Sequence, residues 1–170
     1  MSIMTDDLGT LGGKGANLVR LREAGFPVPP FVVLGTQEYR SFVAAHGLDA
    51  VIAQALATSD ADAASETIRA AFRRPLPADQ REHITAAVAH LAGRPVAVRS
   101  SATAEDLPEA SFAGQQDTFL DVRGLDAILD AVVECWSSLW TERAIAYRAR
   151  NGVPTEAVAL AVVVQELVDA

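Results

Sequence analysis

The stretch Ala157 to Val164 reads Ala-Val-Ala-Leu-Ala-Val-Val-Val, with no polar side chain in it. A short, valine-rich run of this kind reads as a strand buried on both faces. A strand of that sort needs neighbours in a sheet and cover above and below it. The rest of the chain must therefore supply other strands and enough helix to coat both faces. Gln165, Glu166 and Asp169 follow at the end of the run.

Helical periodicity is abundant. Gly15 to Ala24 carries Leu18 and Leu21 on one face and stops before Gly25 and Pro27, so a short helix entered through glycines is expected. Phe31 to Leu34 reads as a strand, and Thr36 is positioned to cap a helix running to Gly47. Leu48 to Ala92 repeats apolar residues at helical spacing, with breaks near Ser59 and Pro75 that predict three helices. Pro95 to Arg99 reads as a strand, residues 100–116 as a functional loop, and Thr118 to Val122 as a returning strand. Leu125 to Arg150 reads as one long helix with Ile128, Leu129, Val132, Val133, Trp136, Leu139, Trp140 and Tyr147 as its apolar stripe.

Composition narrows the function classes. The chain has 170 residues, enough for one domain with a sizeable core. Its net charge of −8 is the wrong sign for wrapping a nucleic acid, although a few local cations can still hold a small anion. The single cysteine, Cys135, sits amid Val132, Val133, Trp136 and Leu139 as a small apolar residue would. No apolar run is long enough to span a membrane, and the first twenty residues lack a basic start, so an unprocessed cytoplasmic protein is expected.

Two segments carry candidate chemistry. Leu11-Gly-Gly-Lys-Gly-Ala-Asn17 sets Lys14 among glycines directly before a helix, where backbone amides, helix dipole and ammonium could together receive phosphate oxygens. It lacks the spacing and the Lys-Ser/Thr of a Walker A loop, and the glycines could equally shape a turn with an exposed lysine. Arg99 leaves an apolar strand beside Ser100, Ser101 and Thr103, suited either to gripping a phosphate or to a salt bridge with Glu105 or Asp106. Ser111 to Gln116 could form a flap over a polyphosphate or a plain surface hairpin. Glu105, Asp106 and Glu109 lack metal-ligand spacing, and His46, His83 and His90 read as surface residues.

Gly12-Gly-Lys-Gly-Ala-Asn-Leu18 with Phe26-Pro-Val-Pro-Pro30, and then Val96 through Leu120, resemble the N-terminal domain of the phosphoenolpyruvate synthase, pyruvate phosphate dikinase and rifampicin phosphotransferase family. The resemblance continues through Cys135 to Leu139, Arg143 to Arg148 and Val162 to Val168, and is least clear over residues 48–92. It implies an α+β fold, the N-terminal portion of an ATP-grasp domain with a mixed sheet and flanking helices, occupying residues 1–170. ATP is the implied ligand, lying between two lobes, with a phosphoryl group passing to a histidine on a separate swivelling domain. Carried over residue by residue, Lys14 and Arg99 bind phosphates and Thr103, Gly114, Gln115 and Thr118 lie in the covering flap. Gln165, Glu166, Leu167 and Val168 form the adenine hinge, mostly through backbone groups.

Two departures accompany the resemblance. Phe31 stands where the family usually has Gly after Pro-Pro, and the chain ends before the acidic Mg²⁺ ligands of the second lobe. No metal ligands are therefore expected here, Mg²⁺ being a cofactor of the full-length enzyme, and the C-terminal lobe and phosphohistidine domain are the implied partners. The isolated chain is expected to lack turnover, and its final strand to leave an open edge prone to self-association. The alternative is a non-catalytic nucleotide-binding or regulatory module that pairs with another chain.

Overall fold

The computed structural model describes residues 6–103 and 117–168. In chain order the elements are α1 (Asp6–Glu23), β1 (Phe31–Leu34), α2 (Thr36–Ala45), α3 (Leu48–Leu56), α4 (Ala61–Phe72) and α5 (Ala78–Val88). They continue with β2 (Val96–Ala102), β3 (Thr118–Val122), α6 (Leu125–Ser137), α7 (Glu142–Asn151) and β4 (Leu160–Glu166), with short 3₁₀ turns at Ser138–Trp140 and Thr155–Ala157. The α+β class holds. Sheet order is β1-β4-β2-β3, and every pairing among the described strands is antiparallel, so the mixed character expected of the sheet does not show within these residues.

The apolar run became β4, paired with β1 on one side and β2 on the other. Its side chains alternate between two covered faces, which is why it needed no polar residue. Leu160, Val162 and Val164 join Val96, Val98 and Leu34 in the main core, against Tyr39 and Phe42 of α2 and Ile128, Val132, Cys135 and Trp136 of α6. Trp136 is fully buried, its ring 5.3 Å from that of Phe42. Ala161 and Val163 face the other way and are equally buried, beneath α1, whose Ala16 is inaccessible too.

Several expectations need correction. Because β4 is interior, the outer strands among the described residues are β1 and β3, and the apolar strand β4 is not the exposed edge it was expected to be. The loop expected from residue 100 begins later: Ser100 and Ser101 are buried strand residues, their hydroxyls bonded inside the fold. The long helix expected over 125–150 is two helices. Trp140 turns into the core at the 3₁₀ step, the Ser138 hydroxyl donates to Cys135 O at 2.6 Å, and Thr141 caps α7 by accepting from the Ala144 amide. Thr36 does not cap α2 either; Gly35 holds that position, and Thr36 is the first helical residue. The chain before Gly15, read as a glycine entry, is already helical from Asp6.

Cys135 is inaccessible, and burial pushes its thiol well above the usual range. A thiolate, the reactive form, is thus doubly suppressed. We expect no labelling by an aromatic disulfide reagent under native conditions and one equivalent after denaturation; rapid native labelling would contradict this packing.

Candidate functional site

The helix α1 is not continuous. Gly12 breaks it with φ 67° and ψ 172°, a combination essentially confined to glycine. A Cβ there would stand 2.2 Å from Ser101 O and 2.4 Å from Ser101 Oγ, so the break is pressed directly onto β2. At Gly15 a Cβ would come within 2.9 Å of Val33 Cγ1. The glycines therefore do structural work, letting the helix descend onto the sheet, and that descent is what brings Lys14 to β2.

Both sides of the break are tied down. The Thr36 hydroxyl donates to Gly9 O at 3.1 Å, fixing the first segment. The Ser101 hydroxyl donates to Leu11 O at 2.9 Å and accepts from the Gly15 amide at 3.1 Å, fixing the second. Beyond the break, Lys14 Nζ donates to Ser100 O at 3.1 Å. The lysine and a restarted helix N-terminus thus face the same strand, a pairing favourable to negative charge.

Strand register places the other candidates. On the α1 face, Ser101 sits opposite Ala161, Arg99 opposite Val163 and Thr118, and Ala97 opposite Gln165, with Phe31 beyond. Successive same-face rows lie about 7 Å apart along a strand, so the row of Gln165 is about 13 Å from the row beneath the helix break. Arg99 occupies the middle row, one row from Ser101 and one from Gln165, and Lys14 reaches the same strand at Ser100 O. Arg99 Nε is buried with no hydrogen-bond partner among the described residues, and no carboxylate pairs with this guanidinium among them. A buried unmet donor on a cation is costly unless a ligand or neighbour answers it. The salt-bridge alternatives Glu105 and Asp106 lie outside the described residues, as do Glu109, Gly114 and Gln115. Thr103 is partly buried just past β2, and Thr118 is exposed.

At the far end, the Glu166 amide donates to Pro30 O and the Leu167 amide to Pro95 O, each at 2.9 Å. Those two donors are used within the fold, and the Glu166 carboxylate is held by Arg94 at 2.6 Å. Of the four hinge candidates, Gln165 is partly buried and Val168 is exposed. Phe31, at the departure from the family pattern, starts β1 opposite Gln165, with the Arg22 guanidinium 4.8 Å above its ring.

Sequence reasoning missed Ser101 and Thr36 as anchors of the broken helix. Their signal was faint: small hydroxyl residues beside strands read as loop or cap. Among the histidines, His46 contacts Pro75 O at 3.0 Å and His83 pairs with Glu38 at 3.2 Å. Among the described residues no three His, Cys, Asp or Glu side chains group closely enough to hold a metal ion, and no helix is long and apolar enough to cross a membrane.

A glycine-broken helix sets Lys14 on the strand that bears Arg99, whose Nε is buried without a partner among the described residues, within an α+β domain. The chain belongs to the family of the pyruvate phosphate dikinase AMP/ATP-binding domain, whose sequence model matches residues 8–170. It is 46% identical over 178 residues to a protein named "Probable phosphoenolpyruvate synthase" from Methanothermobacter thermautotrophicus, covering 97% of this chain and 26% of that protein. It is 43% identical over 180 residues to the phosphoenolpyruvate synthase of Aeropyrum pernix, covering 98% of this chain and 22% of the relative. With the rifampicin phosphotransferase of Streptomyces sviceus the identity is 48% over 167 residues, covering 93% and 19%. The chain thus spans about a quarter or less of the length of these relatives.

Proposed function

We propose that this chain is the nucleotide-binding part of a dikinase-type phosphotransferase, one portion of an ATP-grasp domain. In the whole protein, ATP would yield AMP and inorganic phosphate while a phosphoryl group passes, by way of a histidine on another domain, to pyruvate or to a rifampicin-like hydroxyl. The observation that carries this reading is that Lys14 Nζ reaches β2 at Ser100 O, one residue along the strand from Arg99, whose Nε is buried with no partner among the described residues. Two fixed cations beside a helix N-terminus supply the charge complement that a polyphosphate needs.

ATP fits the residues present. Its phosphates would meet Lys14, Arg99 and the amides after Gly12, and its base would lie towards Gln165 and Val168, with Thr103, Gly114, Gln115 and Thr118 on the covering side. In this reading the acidic Mg²⁺ ligands come from another lobe. When bound, the ion would screen charge on the transferred group. What this chain contributes is grip and orientation.

Nucleotide selectivity tests the reading. In equilibrium dialysis of the chain, affinity should fall in the order ATP, ADP, AMP, adenosine, and the ATP preference should shrink as ionic strength rises. Equal affinity for ATP and adenosine would contradict a site built around phosphate.

A further inference from the structure

In an unbroken α-helix the Gly15 amide would bond Leu11 O directly, four residues back. Here the Ser101 hydroxyl is inserted between them, accepting from Gly15 N at 3.1 Å and donating to Leu11 O at 2.9 Å. A side chain entering the helix ladder in this way is a recognised cause of a kink. Ser101 is fully buried, so neither backbone group has water to replace it. The same strand, one residue earlier, receives Lys14 Nζ on Ser100 O. One hydroxyl thereby couples the helix break to the strand that carries Arg99.

We propose that Ser101 is a positioning residue for Lys14: its hydroxyl holds the broken helix open and sets the lysine beside Arg99. The inference rests on the nucleotide reading above. Without that hydroxyl the Leu11–Gly15 bond can close, the break relaxes, and the segment bearing Lys14 turns relative to β2. Ser101 itself is covered by Gly12 and touches no ligand in this account, so its effect must travel through the lysine.

The test is a double-mutant cycle on Mg·ATP binding, using the parent chain, Ser101→Ala, Lys14→Ala and the double variant. Thr141→Ala, which loses the α7 cap far along the chain, controls for general destabilisation. We expect Ser101→Ala to weaken Mg·ATP about tenfold, the size of one lost charged contact. In the Lys14→Ala background the same change should alter affinity by less than about twofold, since the group it positions is gone. Thr141→Ala should lower the melting temperature and leave affinity unchanged. Should alanine at 101 prevent folding, Ser101→Cys keeps the shape with a weak S–H and serves in the same cycle, with a smaller loss expected.

Unchanged affinity in the serine variants, or losses that multiply with that of Lys14→Ala, would overturn the positioning role while leaving the nucleotide reading intact. Failure of the parent chain to bind Mg·ATP would instead remove the nucleotide reading and the inference with it.

Discussion

Gly12→Ala is expected to cost this fold about 2 to 6 kcal/mol. Two penalties combine. A side chain at φ 67° and ψ 172° occupies a region essentially reserved for glycine, at about 1 to 3 kcal/mol. The added Cβ also meets Ser101 O at 2.2 Å, a backbone atom in a paired strand that cannot swing aside, and such overpacking costs about 1 to 3 kcal/mol. For a chain of this size the melting temperature should fall by roughly 10 °C. Gly47→Ala is the informative comparison, because that residue has φ 62° but nothing within 4 Å of its would-be Cβ. It should cost only about 1 kcal/mol. Thermal denaturation of both variants checks the pair, and a loss at Gly12 no greater than at Gly47 would show that the helix break is not pressed onto β2.

The second large effect separates binding from stability. Arg99→Met should weaken Mg·ATP by about 1.5 to 3 kcal/mol, roughly 10-fold to 150-fold, if its guanidinium makes a charge-assisted contact with phosphate. Its thermal stability without nucleotide should be equal to the parent's or higher. The reason is the buried Nε without a partner among the described residues: methionine keeps the packing of the stem and removes an unmet donor. A residue kept for structure would show the opposite pattern, with lost stability and unaltered affinity in the folded fraction. Calorimetry and denaturation on one preparation distinguish the two.

The legible parts of the fold were those in which a local pattern and the tertiary demand agree. The valine run of β4 announced a sheet covered twice, and β1 and β3 occupy Phe31–Leu34 and Thr118–Val122, the two short runs that read as strands. Illegible parts were those in which a distant contact overrules local character. Ser100 and Ser101 look like loop residues, yet strand pairing and the helix break use their hydroxyls. Residues 6–11 read as an entry because glycine is a poor helix former, but Thr36 and Gly35 press against Gly9 and Thr10 and hold that segment. The division at Ser138–Trp140 left no periodicity signal, since Trp140 stays apolar and in step with the stripe while the backbone turns to bury it against Tyr39, whose hydroxyl accepts from its indole at 3.1 Å.

The candidate site divides in the same way. Lys14 and Arg99 were visible because a cation among glycines, or at the end of an apolar strand, is chemically conspicuous. Their proximity was not, because it depends on the 86-residue separation bridged by Lys14 Nζ and Ser100 O. The hinge residues were visible only as a family pattern, and the use of the Glu166 and Leu167 amides by Pro30 and Pro95 narrows what that pattern can offer a ligand here.

The most direct test of the central claim is a calorimetric titration of Mg·ATP into this chain beside Lys14→Ala and Arg99→Ala, with folding of all three verified by circular dichroism. Saturable one-to-one binding by the parent is expected, with a loss of roughly 10-fold or more in each variant. Parent binding that survives both substitutions unchanged would contradict the assignment of these two side chains to the phosphates, and absence of binding by a folded parent would contradict nucleotide recognition by this part of the protein.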